Sequence, residues 1–63
     1  MIYINLKDPI KANSFALAEL AIKICEENNR DDGDRITDEM LSGDRENVIT
    51  VFKKYFSNYV VLN

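Results

Sequence analysis

The residues of this chain best equipped for chemistry are carboxylates. Asp31, Asp32, Asp34, Asp38, Glu39 and Asp44 fall within fourteen positions, with Arg30, Arg35 and Arg45 as the basic residues beside them. Carboxylates grouped in this way offer two kinds of chemistry. They are hard oxygen ligands for a divalent cation, and they form a patch that steers a protein onto a basic surface or imitates spaced phosphates. Other chemistries lack their residues. The chain has no histidine, and so neither the commonest general base nor the commonest transition-metal ligand. A single cysteine, Cys25, allows no internal disulfide and no zinc site of ordinary ligand type within one chain. Among Ala21, Ile22 and Ile24 it reads as a buried thiol acting as a small hydrophobe. Gly33 and Gly43 stand ten positions apart and form no phosphate-cradling loop. With 63 residues there is little material for a water-excluding pocket. The expectation is a non-enzyme that needs neither cofactor nor metal.

The stretch Asn29 to Met40 nevertheless resembles the calcium loop of the EF-hand family, being acidic and glycine-containing, with an isoleucine after the glycine. That loop needs oxygen ligands at positions one, three, five and twelve, and glycine at six. Anchored on Ile36, the register puts Asn29 and Asp31 at one and three. Gly33 then stands where a carboxylate is wanted, Asp34 where glycine is wanted, and Met40 where the bidentate glutamate is required. Glu39 falls one residue early. The segment is therefore read as a solvated acidic connector between two helices.

A second resemblance runs from Ile36 to the C-terminus. Ile36-Thr37-Asp38-Glu39-Met40-Leu41 followed by Gly43-Asp44-Arg45-Glu46-Asn47-Val48 resembles the helix-turn-helix of the cyclic-AMP-receptor-type winged-helix regulators. Arg45, Glu46 and Val48 match the opening of that family's recognition helix, whereas Asp44 and Asn47 replace its serine and threonine. The resemblance implies a recognition helix at Arg45–Asn58. Arg45, Glu46 and Thr50 would face base edges in the major groove, Lys53 and Lys54 would lie near phosphates, and Tyr59–Leu62 would begin a wing. The net charge of −3 opposes it, because phosphate contacts supply most nucleic-acid affinity and call for basic excess.

The elements that must position these residues follow from periodicity. Ile2, Ile4 and Leu6 alternate with Tyr3 and Asn5 as a short one-sided strand. Lys7, Asp8 and Pro9 turn the chain. Asp8 suits the cap of a helix beginning at Pro9, with Asn13 or Ser14 as the alternative cap. Leu17, Leu20, Ala21 and Ile24 form an apolar stripe, widened by Ala18, Ile22 and Cys25, in a helix running to about Asn28. Asn28 to Arg35 lacks any apolar residue and reads as a loop. Thr37 is placed to cap a short helix through Ser42, with Ile36 and Leu41 as its hydrophobic staple. Gly43 ends that helix and Asp44 caps the last one, Arg45 to Asn58, whose apolar line is Val48, Phe52, Tyr55 and Tyr59. Tyr59 to Leu62 is β-prone. The predicted architecture is an α+β domain of order β-α-α-α-β, three helices on a two-stranded ribbon of the N- and C-terminal strands.

At this length the chain is a single small domain spanning residues 1–63. Roughly 60% of its unfolded surface can be buried, so its stability margin is thin. No secretory leader and no membrane-length apolar run is visible, and one cysteine suits a reducing cytoplasmic compartment. Small acidic chains without histidine are common among phage and plasmid accessory proteins, an analogy of class only. The functional expectation is a non-catalytic regulator or inhibitor. It binds a partner protein with a basic surface through Asp31, Asp32, Asp34, Asp38, Glu39 and Asp44 and an aromatic-edged helix face (Phe52, Tyr55, Phe56, Tyr59). A homodimer would cover the ribbon edge, and DNA binding through the last helix is the alternative.

Overall fold

Alternation at the N-terminus produces a strand, β1, at Ile2–Ile4, and the β-branched run at the other end produces β2 at Val60–Leu62. In the computed structural model, which describes residues 1–63, the two strands pair in parallel with Ile2 opposite Val60, Tyr3 opposite Val61 and Ile4 opposite Leu62. Hydrogen bonds carry the ladder past both strands: Ile2 N donates to Tyr59 O (3.1 Å), Asn63 N to Ile4 O (2.9 Å) and Leu6 N to Asn63 O (2.8 Å). Between the strands lie three helices, α1 at Ser14–Glu27, α2 at Gly33–Leu41 and α3 at Arg45–Phe56. The β-α-α-α-β order and α+β class are those read from the sequence. No helix is long and apolar enough to cross a membrane.

α1 starts later than a Pro9 start would have it. Asp8 does cap, but what it caps is one separate turn. Its Oδ1 accepts from Ile10 N (2.9 Å) and Lys11 N (3.2 Å), and its carbonyl accepts from Ala12 N (2.9 Å). Those two amide donors hold the Asp8 carboxyl below its ordinary pKa. Asn13 then goes extended (φ −76°, ψ 165°) and caps α1 by accepting from Ala16 N at 2.8 Å. At the other end Asn29 takes a left-handed conformation (φ 56°). Asn29 N reaches Glu26 O (3.3 Å) and Arg30 N reaches Cys25 O (2.8 Å), the paired bonds of a Schellman ending.

α2 begins four residues before Thr37, so Thr37 is not its cap. The Thr37 hydroxyl donates back to Asp34 O at 3.0 Å from a buried position inside the helix. The staple is also absent, since Ile36 is buried but Leu41 is exposed. What allows the earlier start is Gly33. A Cβ there would sit 3.3 Å from Cys25 Cβ and 3.6 Å from Cys25 Sγ, so α2's first turn rests directly on α1. The α2–α3 turn is as expected: Asp44 caps α3 by accepting from Asn47 N (3.0 Å). Asn47 Nδ2 in turn donates to Glu39 O (2.9 Å) and Met40 O (3.0 Å), closing the C-terminal carbonyls of α2. Gly43 makes room for it, because a Cβ at that position would fall 2.8 Å from Asn47 Cβ.

One apolar cluster joins all five elements, including Ile4, Leu17, Ala21, Ile24, Ile36, Met40, Val48, Phe52, Phe56 and Val60. Phe52 and Phe56 are at its centre with ring centroids 5.0 Å apart. The α3 aromatics therefore point inward, with Tyr55 half-buried against the core together with Tyr59, which lies in the turn beyond the helix end at Phe56.

Candidate functional site

The six carboxylates separate into two groups. Asp32, Glu39 and Asp44 serve the fold. Asp32 accepts from Arg30 through two bonds, Nε to Oδ1 at 3.2 Å and Nη2 to Oδ2 at 2.8 Å, with Arg35 Nη2 3.8 Å away and Cys25 Sγ 3.7 Å away. The Arg30 guanidinium also lies over the Phe56 ring, 5.4 Å from its centroid. This fork of donors holds the Asp32 carboxyl below its ordinary pKa, and the same pairing raises Arg30. Beneath it, burial pushes the Cys25 thiol up, away from the reactive thiolate form. Glu39 ties α2 to α3, accepting from Tyr55 Oη at 3.1 Å with Lys54 Nζ at 3.9 Å. Asp44 is the α3 cap.

Asp31, Asp34 and Asp38 are the free group. All three are exposed and none takes part in an ion pair. Asp34 and Asp38 stand one helical turn apart on α2. Asp31 and Asp34 line a shallow cleft of about 290 Å³ between α1 and α2, together with Ile22, Cys25, Glu26, Arg30 and Gly33. Its apolar lining is Ile22 with the buried Cys25 and Gly33, and its polar lining is three carboxylates and Arg30. Sequence reasoning did not place Glu26, Ile22 or Phe15 in a site. The signal was there, since Phe15, Glu19, Ile22 and Glu26 follow the i, i+4, i+7, i+11 spacing of one helix line.

The connector resembling a calcium loop resolves into five residues, Asn28–Asp32, followed by helix from Gly33. The last two thirds of the twelve-residue register, from Gly33 to Met40, are thus wound into α2, and Asp32 faces Arg30. No three Cys, Asp or Glu side chains converge as metal ligands would.

For the helix-turn-helix residues, Glu46, Thr50 and Lys53 lie along one exposed line of α3. Arg45 and Lys54 point elsewhere. The Arg45 guanidinium donates to Leu6 O and to Ala12 O (3.3 Å), tying the β1–α1 connector to the start of α3. Lys54 lies between Glu39 and the Tyr55 ring. Residues Val60–Leu62, placed as the start of a wing, instead pair in parallel with β1, a pairing that a hairpin cannot make.

No protein-family model matches this chain, nor does any curated protein or any solved structure.

Proposed function

We propose that this protein is a non-catalytic interaction module that binds a partner protein with a basic surface through the exposed acidic side of α1 and α2. The observation that carries this reading is the split among the charges. Arg30, Lys54 and Arg45 are drawn into internal contacts, while Asp31, Asp34, Asp38 and Glu26 stand exposed and unpaired. Along α1, α2 and their connector the exposed carboxylates (Glu19, Glu26, Glu27, Asp31, Asp34, Asp38) outnumber the exposed cations (Lys23, Arg35), which makes that surface negative. Charges of this kind raise association rate and set partner choice more than they raise affinity.

The test is capture of partners by the tagged protein after nuclease treatment, in parallel with an Asp31→Lys/Asp34→Lys/Asp38→Lys variant. A stoichiometric partner lost in the variant and weakened by salt supports the reading. Recovery that requires nucleic acid, and disappears with Lys53→Ala, makes the exposed α3 line a nucleic-acid contact instead. A second reading concerns self-association. β1 has one neighbour only, and along it Ile2 is 44% and Tyr3 70% exposed, so pairing of two copies across this edge would cover it. Sedimentation equilibrium decides: a monomer at all concentrations removes that reading.

A further inference from the structure

We propose that the outward line of α1, continued by the rim of the α1–α2 cleft, seats a basic amphipathic helix of the partner protein. The proposal rests on the acidic-surface reading above and specifies its ligand. An outward helix face is ordinarily polar, but Phe15 is 74% exposed and Ile22 36% exposed on the side of α1 turned from the core. At 100° per residue, Ile22, Phe15, Glu26 and Glu19 fall within an arc of roughly 60°. They thus form one narrow stripe in which apolar and acidic side chains alternate, about 16 Å long at 1.5 Å per residue.

The cleft continues this stripe. Gly33 closes directly over Cys25, and beside that contact the partly exposed Ile22 is the apolar surface beneath Glu26, Asp31 and Asp34. Arg30, the one cation lining it, is neutralised by its two bonds to Asp32. An apolar floor under a carboxylate rim fits a lysine or arginine side chain, whose methylene stem lies on apolar surface while its charged head reaches the rim. Phe15, two turns away from Ile22, fits an aliphatic side chain or an arginine stacked on its ring. A ligand that answers both ends must carry apolar and basic residues two helical turns apart on one face, which describes an amphipathic helix lying along α1. The carboxylates Glu19, Glu26, Asp31 and Asp34 repel the phosphates of nucleic acids and anionic lipids, so the match in charge selects a basic protein segment.

The experiment uses a synthetic helical peptide with leucine and lysine at heptad spacing and one tryptophan. The protein has no tryptophan, so the fluorescence change reports the peptide alone. Oligolysine of equal charge, and a twin with glutamate for lysine, are the comparisons. Expected are tighter binding of the leucine–lysine peptide than of oligolysine, no binding of the glutamate twin, and a loss of roughly tenfold with Phe15→Ser and with Asp34→Lys. In the ¹⁵N-labelled protein, amide shifts should concentrate on Phe15, Glu19, Ile22, Glu26, Asp31 and Asp34. Both substituted positions are exposed, and an unchanged circular dichroism spectrum verifies that each variant is folded. Binding that ignores Phe15→Ser and equals that of oligolysine overturns the groove while leaving a general acidic surface. Indifference to Asp34→Lys and to Asp31→Lys overturns both readings, as do shifts confined to β1 or α3.

Discussion

At the scale of single residues, backbone conformation and hydrogen bonds decide more than residue class does. Asn29 ends α1 in a left-handed conformation that asparagine tolerates and a β-branched side chain does not. Asn29→Gly should leave stability unchanged or slightly higher, whereas Asn29→Val should cost about 1–2 kcal/mol, measured by urea unfolding. Asp32 sets an acid limit. Its folded pKa is depressed by Arg30, so its contribution is complete above the ordinary carboxylate pKa near 3.9 and is lost as pH falls through the lower folded value. Asp8 acts in the same direction through its two amide donors. Thermal unfolding followed from pH 6 downward should show a steeper acid decline in the native protein than in Asp32→Asn. Parallel declines would mean that Arg30 gains nothing from the charge. In sequence, Arg30 and Asp32 were two more members of a polar run. Nothing in their spacing showed that a guanidinium two residues away would fold back over Phe56 and take Asp32 out of the exposed patch.

Among the elements, the α2–α3 turn is the best-determined junction. Asn47 receives the Asp44 cap on its backbone and closes two α2 carbonyls with its side chain. Asn47→Ala should cost about 1–3 kcal/mol, because it leaves those carbonyls to solvent or unpaired, while Asp44→Ala loses one cap, about 1 kcal/mol. Chemical denaturation of the two variants checks the order, and a smaller loss for Asn47→Ala would show that water replaces its amide. The sequence announced this turn through Gly43 and Asp44, since capping is local chemistry. It hid the start of α2. The seven polar residues and one glycine of Asn28 to Arg35 resemble a loop, and only contact with Cys25 explains why Gly33 winds into the helix. Phe15 was half-hidden: its place on the line of Glu19 and Glu26, off the Leu17–Ile24 stripe, pointed outward, while its aromatic class pointed to the core, and the packing leaves it exposed.

As a whole, the molecule rests on very few large side chains. At 0.05–0.15 kcal/mol per residue a domain of this length holds about 3–9 kcal/mol, while truncating a buried phenylalanine typically removes about 3–5 kcal/mol. Phe52→Ala, at a fully buried site in contact with Phe56, should therefore leave a protein largely unfolded at 37 °C by circular dichroism. Full retention of helix signal would show that the core collapses around the gap. The five-element order was legible because each element carries its own period. Strand direction was not, because the path of three helices determines it.

The parallel pairing of the two terminal strands also sets an order in time. Ile2 meets Val60 only after nearly the whole chain has been brought around, and closing a loop of that length carries an entropy penalty of about 3–4 kcal/mol before its constant term. Three ladder residues per strand return little against that unless the helices have already packed and hold the ends near each other. The ribbon is then the last part to form and the first to open. In native-state hydrogen exchange, the amides of Ile4, Leu6 and Asn63 should exchange well before those of Val51 and Phe52.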